Sequence, residues 1–467
     1  MSARRATAFV TIASLLVAAP ACTVGPTYKR PVVNIPDRYR GESGPPTGTS
    51  ASVADQKWWE LFQDPQLQTL IRTALERNYD LRIAAARILQ AQAQLGILRA
   101  DQFPSVAADA SATRQRVAQS LDFPATQFST LQVDVSTAWE IDFWGKFRRA
   151  TEAARASLLA SEWGRRAIVA SLIGQVAAGY FELRELDLEL EIAKRTLATR
   201  DESLQLTQVR EQGGATSLLD VRQAEQLVFT ARGAIADLER AIEQQENLLS
   251  TLVGDNPTSV PRGQFLVDQP RPVDVPAGLP SALLERRPDI QQAEQELVAA
   301  NADVGVAKAA YFPRINLTGA GGFQSAALAS LFSGPAGLFT VGAALTQPIF
   351  TAGKLRSNVA FAEARRDEAV LFYQQTIQQS LRDVSDSLVA YRKTRVVREQ
   401  QELLTRSAQD AQRLSALRYQ GGTTSYLEVL DASTRLFAAE LGLAQARLNE
   451  LLTLVEMYRA MGGGWER

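Results

Sequence analysis

The chain has 467 residues, in which 50 Lys and Arg are balanced by 51 Asp and Glu, with no histidine and one cysteine. The near-zero net charge argues against a nucleic-acid surface, which requires an excess of basic residues. The lack of histidine removes the usual general base, the commonest zinc ligand and every Ser-His-Asp arrangement, so we expect no enzyme, cofactor or metal site.

The first 21 residues have the order of an export signal. Two arginines precede an apolar run from Ala6 to Ala19, and small residues follow. Because Cys22 comes directly afterwards, we expect a lipoprotein in which 1–21 is the signal peptide and Cys22 carries lipid, palmitate included. Two or more acyl chains would anchor it stably. Ala19 stands where lipoprotein signals usually have leucine, so ordinary cleavage with a free thiol left behind is the alternative.

The chain contains an internal duplication. "REQGGATSLLDVRQ" at 210–223 is repeated as "RYQGGTTSYLEVLD" at 418–431, and "IDFWGKFR" at 141–148 aligns with "IFTAGKLR" at 349–356. Both pairs have an offset of 208 residues. The stretch 75–104 aligns with 284–313 at almost the same offset, so an entire structural unit is present twice.

Each copy has the same predicted elements in chain order. Apolar residues at heptad-like spacing predict long helices near 144–211 and 352–419, each roughly 100 Å long at 1.5 Å per residue. Glycine pairs end them, and a hydroxyl residue then caps a return helix. The other predicted elements are return helices near 217–253 and 425–460, short helices near 80–101 and 289–311, and strands at 105–113, 128–140, 315–324 and 338–347.

The four strands alternate apolar and polar residues and have the length of tilted outer-membrane strands. Four strands cannot close a barrel, and an open edge in hydrocarbon leaves backbone groups unpaired. Two copies would give about eight strands and a filled interior, whereas three would give about twelve and leave a passage. The alternative is that these strands form a pair of hairpins in a soluble protein, with one face of the sheet exposed to water. We find no apolar run of 18 residues, so no mature helix is expected to span a bilayer.

Several motifs carry a resemblance to a known family. They are "CTVGPTYKRP" at 22–31, "WWELFQDPQL" at 58–67, "ERRPDI" at 285–290, "QPIFTAGKL" at 347–355, "RYQGGTTSYLEVLDA" at 418–432 and "MGGGW" at 461–465. Together they resemble the TolC-like outer membrane factors, and within these the lipoprotein branch that serves resistance-nodulation-division multidrug efflux pumps. The resemblance covers essentially the whole mature chain.

The resemblance implies a mainly α fold with a membrane β-barrel, in which three chains form a 12-stranded barrel on a periplasmic helical barrel. It implies an outer-membrane exit duct for drugs or other small molecules, joined to a periplasmic adaptor and an inner-membrane proton-driven transporter. We expect these segments: a lipid-anchored Pro-rich segment (22–64), the first repeat (65–256), a connector in the equatorial region (257–280), the second repeat (281–460) and a tail (461–467).

The resemblance also implies a periplasmic gate. Rings of Leu and Asp in similar proteins correspond here to Leu427 and Asp431, although unaided sequence reading would favour a packing leucine and a solvated aspartate. Relatives tend to have Arg three residues after the aspartate, where this chain has Thr434 followed by Arg435. Because one residue turns a side chain about 100° around a helix, Arg435 is not included in the expected gate.

The two turns are expected to be the adaptor-contacting tips, although plain helix-turn chemistry explains the same small residues. The tip residues are Gly213, Gly214, Ala215, Thr216, Gly421, Gly422, Thr423 and Thr424. A type I secretion or metal-efflux channel is the nearest alternative function. A periplasmic coiled-coil structural lipoprotein is the alternative outside transport.

Overall fold

The computed structural model describes residues 23–40, 52–119, 124–270 and 278–465. Cys22 and the predicted signal peptide lie outside these residues. The described chain divides into two compact units. The first contains the described parts of 1–32, 87–161 and 292–373, and the second those of 33–86, 162–291 and 374–467.

The six predicted helices are confirmed, with both ends of each within two residues of the prediction. The main helices are α1 (Pro65–Arg77), α2 (Tyr79–Ala100), α3 (Lys146–Gln212), α4 (Leu218–Val253), α5 (Pro288–Ala309), α6 (Lys354–Gln420) and α7 (Tyr426–Ala460). Short helices occupy Trp58–Leu61 and Leu283–Arg286, and 3-10 turns occupy Val53–Asp55, Leu266–Asp268, Pro280–Ala282, Leu328–Ser330 and Gly334–Ala336.

Helix α1 was not among the predicted elements, although the sequence carries a signal for it. Asp64 caps its N-terminus by accepting the backbone N–H groups of Gln66 and Leu67, and Pro65 occupies its first position. Aspartate at the cap followed by proline is a common helix start, because proline lacks the N–H that would be unsatisfied there.

The sequence duplication is also a duplication of structure. Helices α3 and α6 each have 67 residues, and each ends at a glutamine followed by the glycine pair of a turn. The return helices α4 and α7 have 36 and 35 residues. The same order of short helix, two strands, long helix and return helix therefore appears twice.

The sheet lies in the first unit and contains four antiparallel strands in the order β1-β2-β3-β4. The strands are β1 (Ser105–Val117), β2 (Thr126–Ile141), β3 (Arg314–Ser325) and β4 (Gly337–Thr346). In the register, Val135 of β2 lies opposite Ala108 of β1 and Gly321 of β3, and Gly321 lies opposite Phe339 of β4. The two strands of each copy thus join through β2 and β3 into one sheet.

The core of the second unit follows the apolar stripes of the long helices. Leu172, Val176 and Leu183 of α3 are buried, as are Ile377 and Val384 of α6. These residues recur at spacings of three, four or seven, which places them on one helix face. Part of each apolar stripe that predicted these helices is therefore packed in the core, whereas Leu186, Leu190 and Leu381 are half-buried.

A segment at residues 23–31, the N-terminal strap, packs against the first unit. The Val24 N–H donates to the Trp144 carbonyl at 3.0 Å, and the Arg30 guanidinium holds the buried Glu294 carboxylate, with Nε at 2.7 Å. A Cβ at Gly25 would lie 2.4 Å from the Cα of Gly305, so the backbones approach closely only because both residues are glycine. The strap is therefore fixed by specific contacts.

Among the described helices, none is both long and apolar enough to cross a lipid bilayer.

Candidate functional site

The sheet of the first unit has one apolar and one polar face. Residues directly opposite each other in antiparallel strands share a face. The apolar face carries Val106, Ala108, Ala110, Leu131, Val133, Val135, Trp139, Ile315, Leu317, Phe323, Phe339, Val341 and Leu345. The other face carries most of the polar side chains, with Phe128 and Leu338 among them: Ser105, Asp109, Ser111, Gln132, Asp134, Ser136, Glu140, Asn316, Thr318, Gln324, Thr340 and Thr346.

The apolar face is uncovered in the single chain. Val341 is 83% exposed, and Phe339 and Leu345 on the same strand are similarly open. Large contiguous apolar patches on a surface mark contact with a partner or a membrane. Arg114 and Arg116 of β1 also lie on the apolar face, beyond the point where the pairing of β2 with β3 ends. They therefore mark one end of the uncharged part of this face.

Strands β1 and β4 are the edges of this sheet, and in the described part of the chain each pairs on one side only. An edge strand presents a row of backbone N–H and C=O groups that can pair with another strand. The sheet is therefore open at both sides.

The first turn lies in the second unit, where it ends α3 and begins α4. The Ala215 N–H donates to the Arg210 carbonyl at 2.8 Å, and Gly214 has φ +71°, where glycine avoids the strain of a side chain. The Asp220 carboxylate then accepts the Thr216 hydroxyl and the Ser217 N–H. These hydrogen bonds lower the pKa of Asp220, the Thr216 bond most.

The second turn, between α6 and α7, has the same backbone conformation, but its return helix begins differently. The Thr423 N–H donates to the Arg418 carbonyl at 3.0 Å, and Gly422 has φ +73°. Ser425 occupies the cap position of α7 without a side-chain cap hydrogen bond. In both turns three of the four predicted tip residues are exposed and the fourth is half-buried.

Arg210 holds the two turns together within the second unit. Its guanidinium donates to the carbonyls of Tyr419 and Gln420 at 2.9 and 3.0 Å and lies 4.6 Å from the Tyr419 ring centre. The Tyr419 ring in turn contacts that of Tyr426 edge-on at 5.4 Å. The sequence predicted no such role for Arg210, because its contacts join residues 209 and 210 positions apart.

The two expected gate residues lie on one exposed side of α7. Leu427 is 59% exposed, and Asp431, one helical turn later, is also exposed. Asp431 Oδ2 accepts a hydrogen bond from Arg435 Nε at 2.8 Å. A basic residue four positions after an acidic one is the spacing that allows such a pair, so this contact was readable from the sequence. Arg435, which the family pattern excluded from the gate, therefore neighbours its aspartate.

Three comparisons with known proteins agree with this geometry. The sequence profile of the family described as "Outer membrane efflux protein" matches residues 70–255 and 279–463. The antibiotic efflux pump outer membrane protein ArpC of Pseudomonas putida is 37% identical over 449 residues, which cover 95% of this chain and 93% of the relative. The toluene efflux pump outer membrane protein TtgC of the same species is 36% identical, with the same coverage.

A solved structure of an outer membrane channel is also similar to this chain. The open state of the Neisseria gonorrhoeae MtrE outer membrane channel has a TM-score of 0.85 and 33% identity, covering 96% of this chain and 99% of that channel.

Proposed function

The chain belongs to the outer membrane efflux protein family, whose members are transport channels and not enzymes, and we propose that three copies of it form the exit duct of a tripartite pump. In this proposal the duct passes drugs or other small molecules from periplasm to exterior. The observation that carries it is the four-stranded sheet, open at both edges and apolar on one face.

The open edges support assembly into a trimer. In a bilayer each unpaired backbone group costs several kcal/mol, so β1 and β4 must pair with strands of other copies. Three copies supply about twelve strands, enough to leave a water-filled interior, whereas about eight strands would be filled by side chains. The apolar face then contacts lipid and the polar face lines the passage.

Lipid on Cys22 would add a second attachment to the outer membrane. The N-terminal strap supports this proposal, because it begins directly after Cys22 and is held by Trp144 and Glu294 of the unit that contains the sheet. The acyl chains would therefore begin beside a fixed segment and not at the end of a free tail.

The proposed pump partners are a periplasmic adaptor and an inner-membrane resistance-nodulation-division transporter. The exposed small residues of the two turns suit the docking of an adaptor, and Leu218 and Leu219 beside the first turn add exposed apolar surface. Three copies would present six such tips. The relatives named for antibiotics and toluene support small-molecule cargo for this chain.

Native mass spectrometry of protein extracted in mild detergent tests the assembly and the anchor together. We expect a complex of three chains, each heavier than the processed polypeptide by its acyl groups. The Cys22→Ser variant should lack the added mass. A stable monomer under several mild detergents would contradict the proposed barrel, and unmodified wild-type chains would contradict the anchor.

We further propose that Leu427 and Asp431 narrow the periplasmic end, because they share an exposed face of α7 next to the second turn. The double variant Leu427→Ala and Asp431→Ala should raise resting single-channel conductance in planar bilayers several-fold while leaving the oligomer intact. Removing both side chains would widen the constriction. It would also remove the ring of Asp431 carboxylates that would attract cations.

The duplication provides a matched control for this gate. Leu219 and Gln223 occupy the corresponding positions of the first turn, 208 residues earlier. Leu219→Ala with Gln223→Ala should leave resting conductance close to that of the wild type. If the two double variants leak equally, shortening side chains beside either turn opens the channel. The gate would then not be specific to Leu427 and Asp431.

A further inference from the structure

The apolar face of the sheet carries charge at one end only. Arg114 and Arg116 of β1 lie opposite Ser129 and Gln127 of β2. Every other residue that the paired parts of the four strands place on this face is uncharged. Among these paired residues, the charge of the face therefore consists of two neighbouring cations.

The position of the two arginines corresponds to the boundary of a bilayer. Trp139, exposed on the same face, lies near the end of β2 that leads to α3, and tryptophan is enriched at membrane boundaries. Ser129, opposite Arg114, lies ten residues earlier in β2. Ten residues of strand span about 33 Å, or about 25 Å when tilted by about 40°. Since the apolar band of outer-membrane barrels is about 25 Å tall, Trp139 and Arg114 stand at its two boundaries.

The arginines lie at the end of the sheet that is farther from the helices. Strands β1 and β3 begin shortly after α2 and α5, and β2 and β4 end shortly before α3 and α6. All four helix connections therefore leave from the opposite end of the strands. Because the helices of the proposed duct are periplasmic, the arginine end faces the exterior and the outer leaflet of the membrane.

Neither arginine forms an ion pair with another residue in the part of the chain that the structure describes. Both side chains are exposed, and Arg114 Nη2 donates to the neutral Gln127 Oε1 at 3.4 Å. Residues two positions apart in a strand point to the same side, about 7 Å from each other. Two guanidinium groups at this spacing can contact the same anion, and the guanidinium fork matches the oxygens of a phosphate group.

We propose that Arg114 and Arg116 bind the phosphate groups of a phosphorylated lipid in the outer leaflet. This inference rests on the proposed function, because it requires the apolar face to contact lipid. The small side chains of Ala108, Ala110 and Ala112, which precede the arginines on the same face, leave room for acyl chains along β1. Charge complementarity selects an anionic lipid, since a neutral headgroup would leave two adjacent cations without a counter-charge.

Native mass spectrometry of the purified full chain in detergent, titrated with lipid A that carries two phosphates, tests this contact. We expect saturable binding to the wild-type oligomer, and binding at least about tenfold weaker for the same lipid after removal of both phosphates. Each arginine near an anionic lipid contributes about fivefold in affinity, so Arg114→Gln with Arg116→Gln should weaken binding of the phosphorylated lipid about tenfold or more.

Arg314→Gln is the matched control, because Arg314 is an exposed arginine of the same sheet that lies opposite Thr346 on the other face. It should bind lipid A within about twofold of the wild type. Equal binding of phosphorylated and dephosphorylated lipid to an intact oligomer, or an equal loss in Arg314→Gln, would overturn the lipid contact and leave the proposed duct standing. A chain that forms no oligomer would overturn both. If the double variant does not assemble, the comparison of the two lipids on the wild type decides.

Discussion

Replacing Asp64 by alanine should lower the free energy of unfolding by about 3–5 kcal/mol, because a buried carboxylate with several donors would be lost. Asp64 is fully buried. Its Oδ2 accepts hydrogen bonds from the Tyr180 hydroxyl at 3.0 Å, and from the Gln264 N–H and Gln269 Nε2 at 2.9 Å each. Alanine would remove the acceptor that these three donors share, in addition to removing the cap of α1.

The packing around Asp64 explains why water cannot easily replace the carboxylate. A Cβ at Gly263 would lie 2.2 Å from Asp64 Oδ1, so the connector backbone is already in close contact with this side chain. The Gly263 N–H also donates to the Tyr180 hydroxyl at 2.8 Å. Asp64 therefore joins α1, α3 and the connector in one hydrogen-bonded group.

Guanidinium unfolding in detergent would measure this change, with Asp255→Ala as the matched control. Asp255 is exposed and forms a 3.4 Å ion pair with Arg77, so its removal should cost less than about 1 kcal/mol. Equal shifts of the unfolding midpoint in the two variants would show that Asp64 contributes no more than a surface charge.

The second large effect is expected from Val341→Arg in the middle of β4. If the apolar face contacts lipid, arginine there should cost about 2–4 kcal/mol per chain and sharply reduce the yield of membrane-inserted oligomer. Thr340→Arg is the control, since Thr340 is the preceding residue and lies on the polar face.

The yield of folded oligomer in the outer-membrane fraction, measured by electrophoresis with and without heating, compares the two arginine variants. Thr340→Arg should assemble at close to the wild-type level because its charge faces water. Greater damage from Thr340→Arg than from Val341→Arg would mean that the faces have the opposite environments, and the proposed barrel would be wrong.

The elements that could be predicted from the sequence are those set by local features of the chain. The ends of α3 and α6 were predictable because Gly214 and Gly422 adopt positive φ and stop a helix by backbone geometry. The strands were predictable because alternation of apolar and polar residues has a period of two. Such signals depend on neighbours within a few residues.

The contacts around the turns were not predictable in the same way. The Arg435 pair with Asp431 obeys helix spacing, but the Arg210 contacts with Tyr419 join the two copies of the duplication. Likewise, Asp64 stands in a recognisable motif, yet three of its five donors come from residues more than 100 positions away. The local periodicity of a sequence does not show which distant donor will form a hydrogen bond to a buried oxygen.

The sequence by itself therefore determined the duplication, the positions of the long helices and the alternation of the strands, because these follow from local backbone preference and the spacing of apolar residues. Only the tertiary structure decided that the strands form one sheet, that Asp64 has five donors, and that Arg210 contacts Tyr419. The physical reason is that hydrogen bonding and desolvation depend on which distant segments pack together.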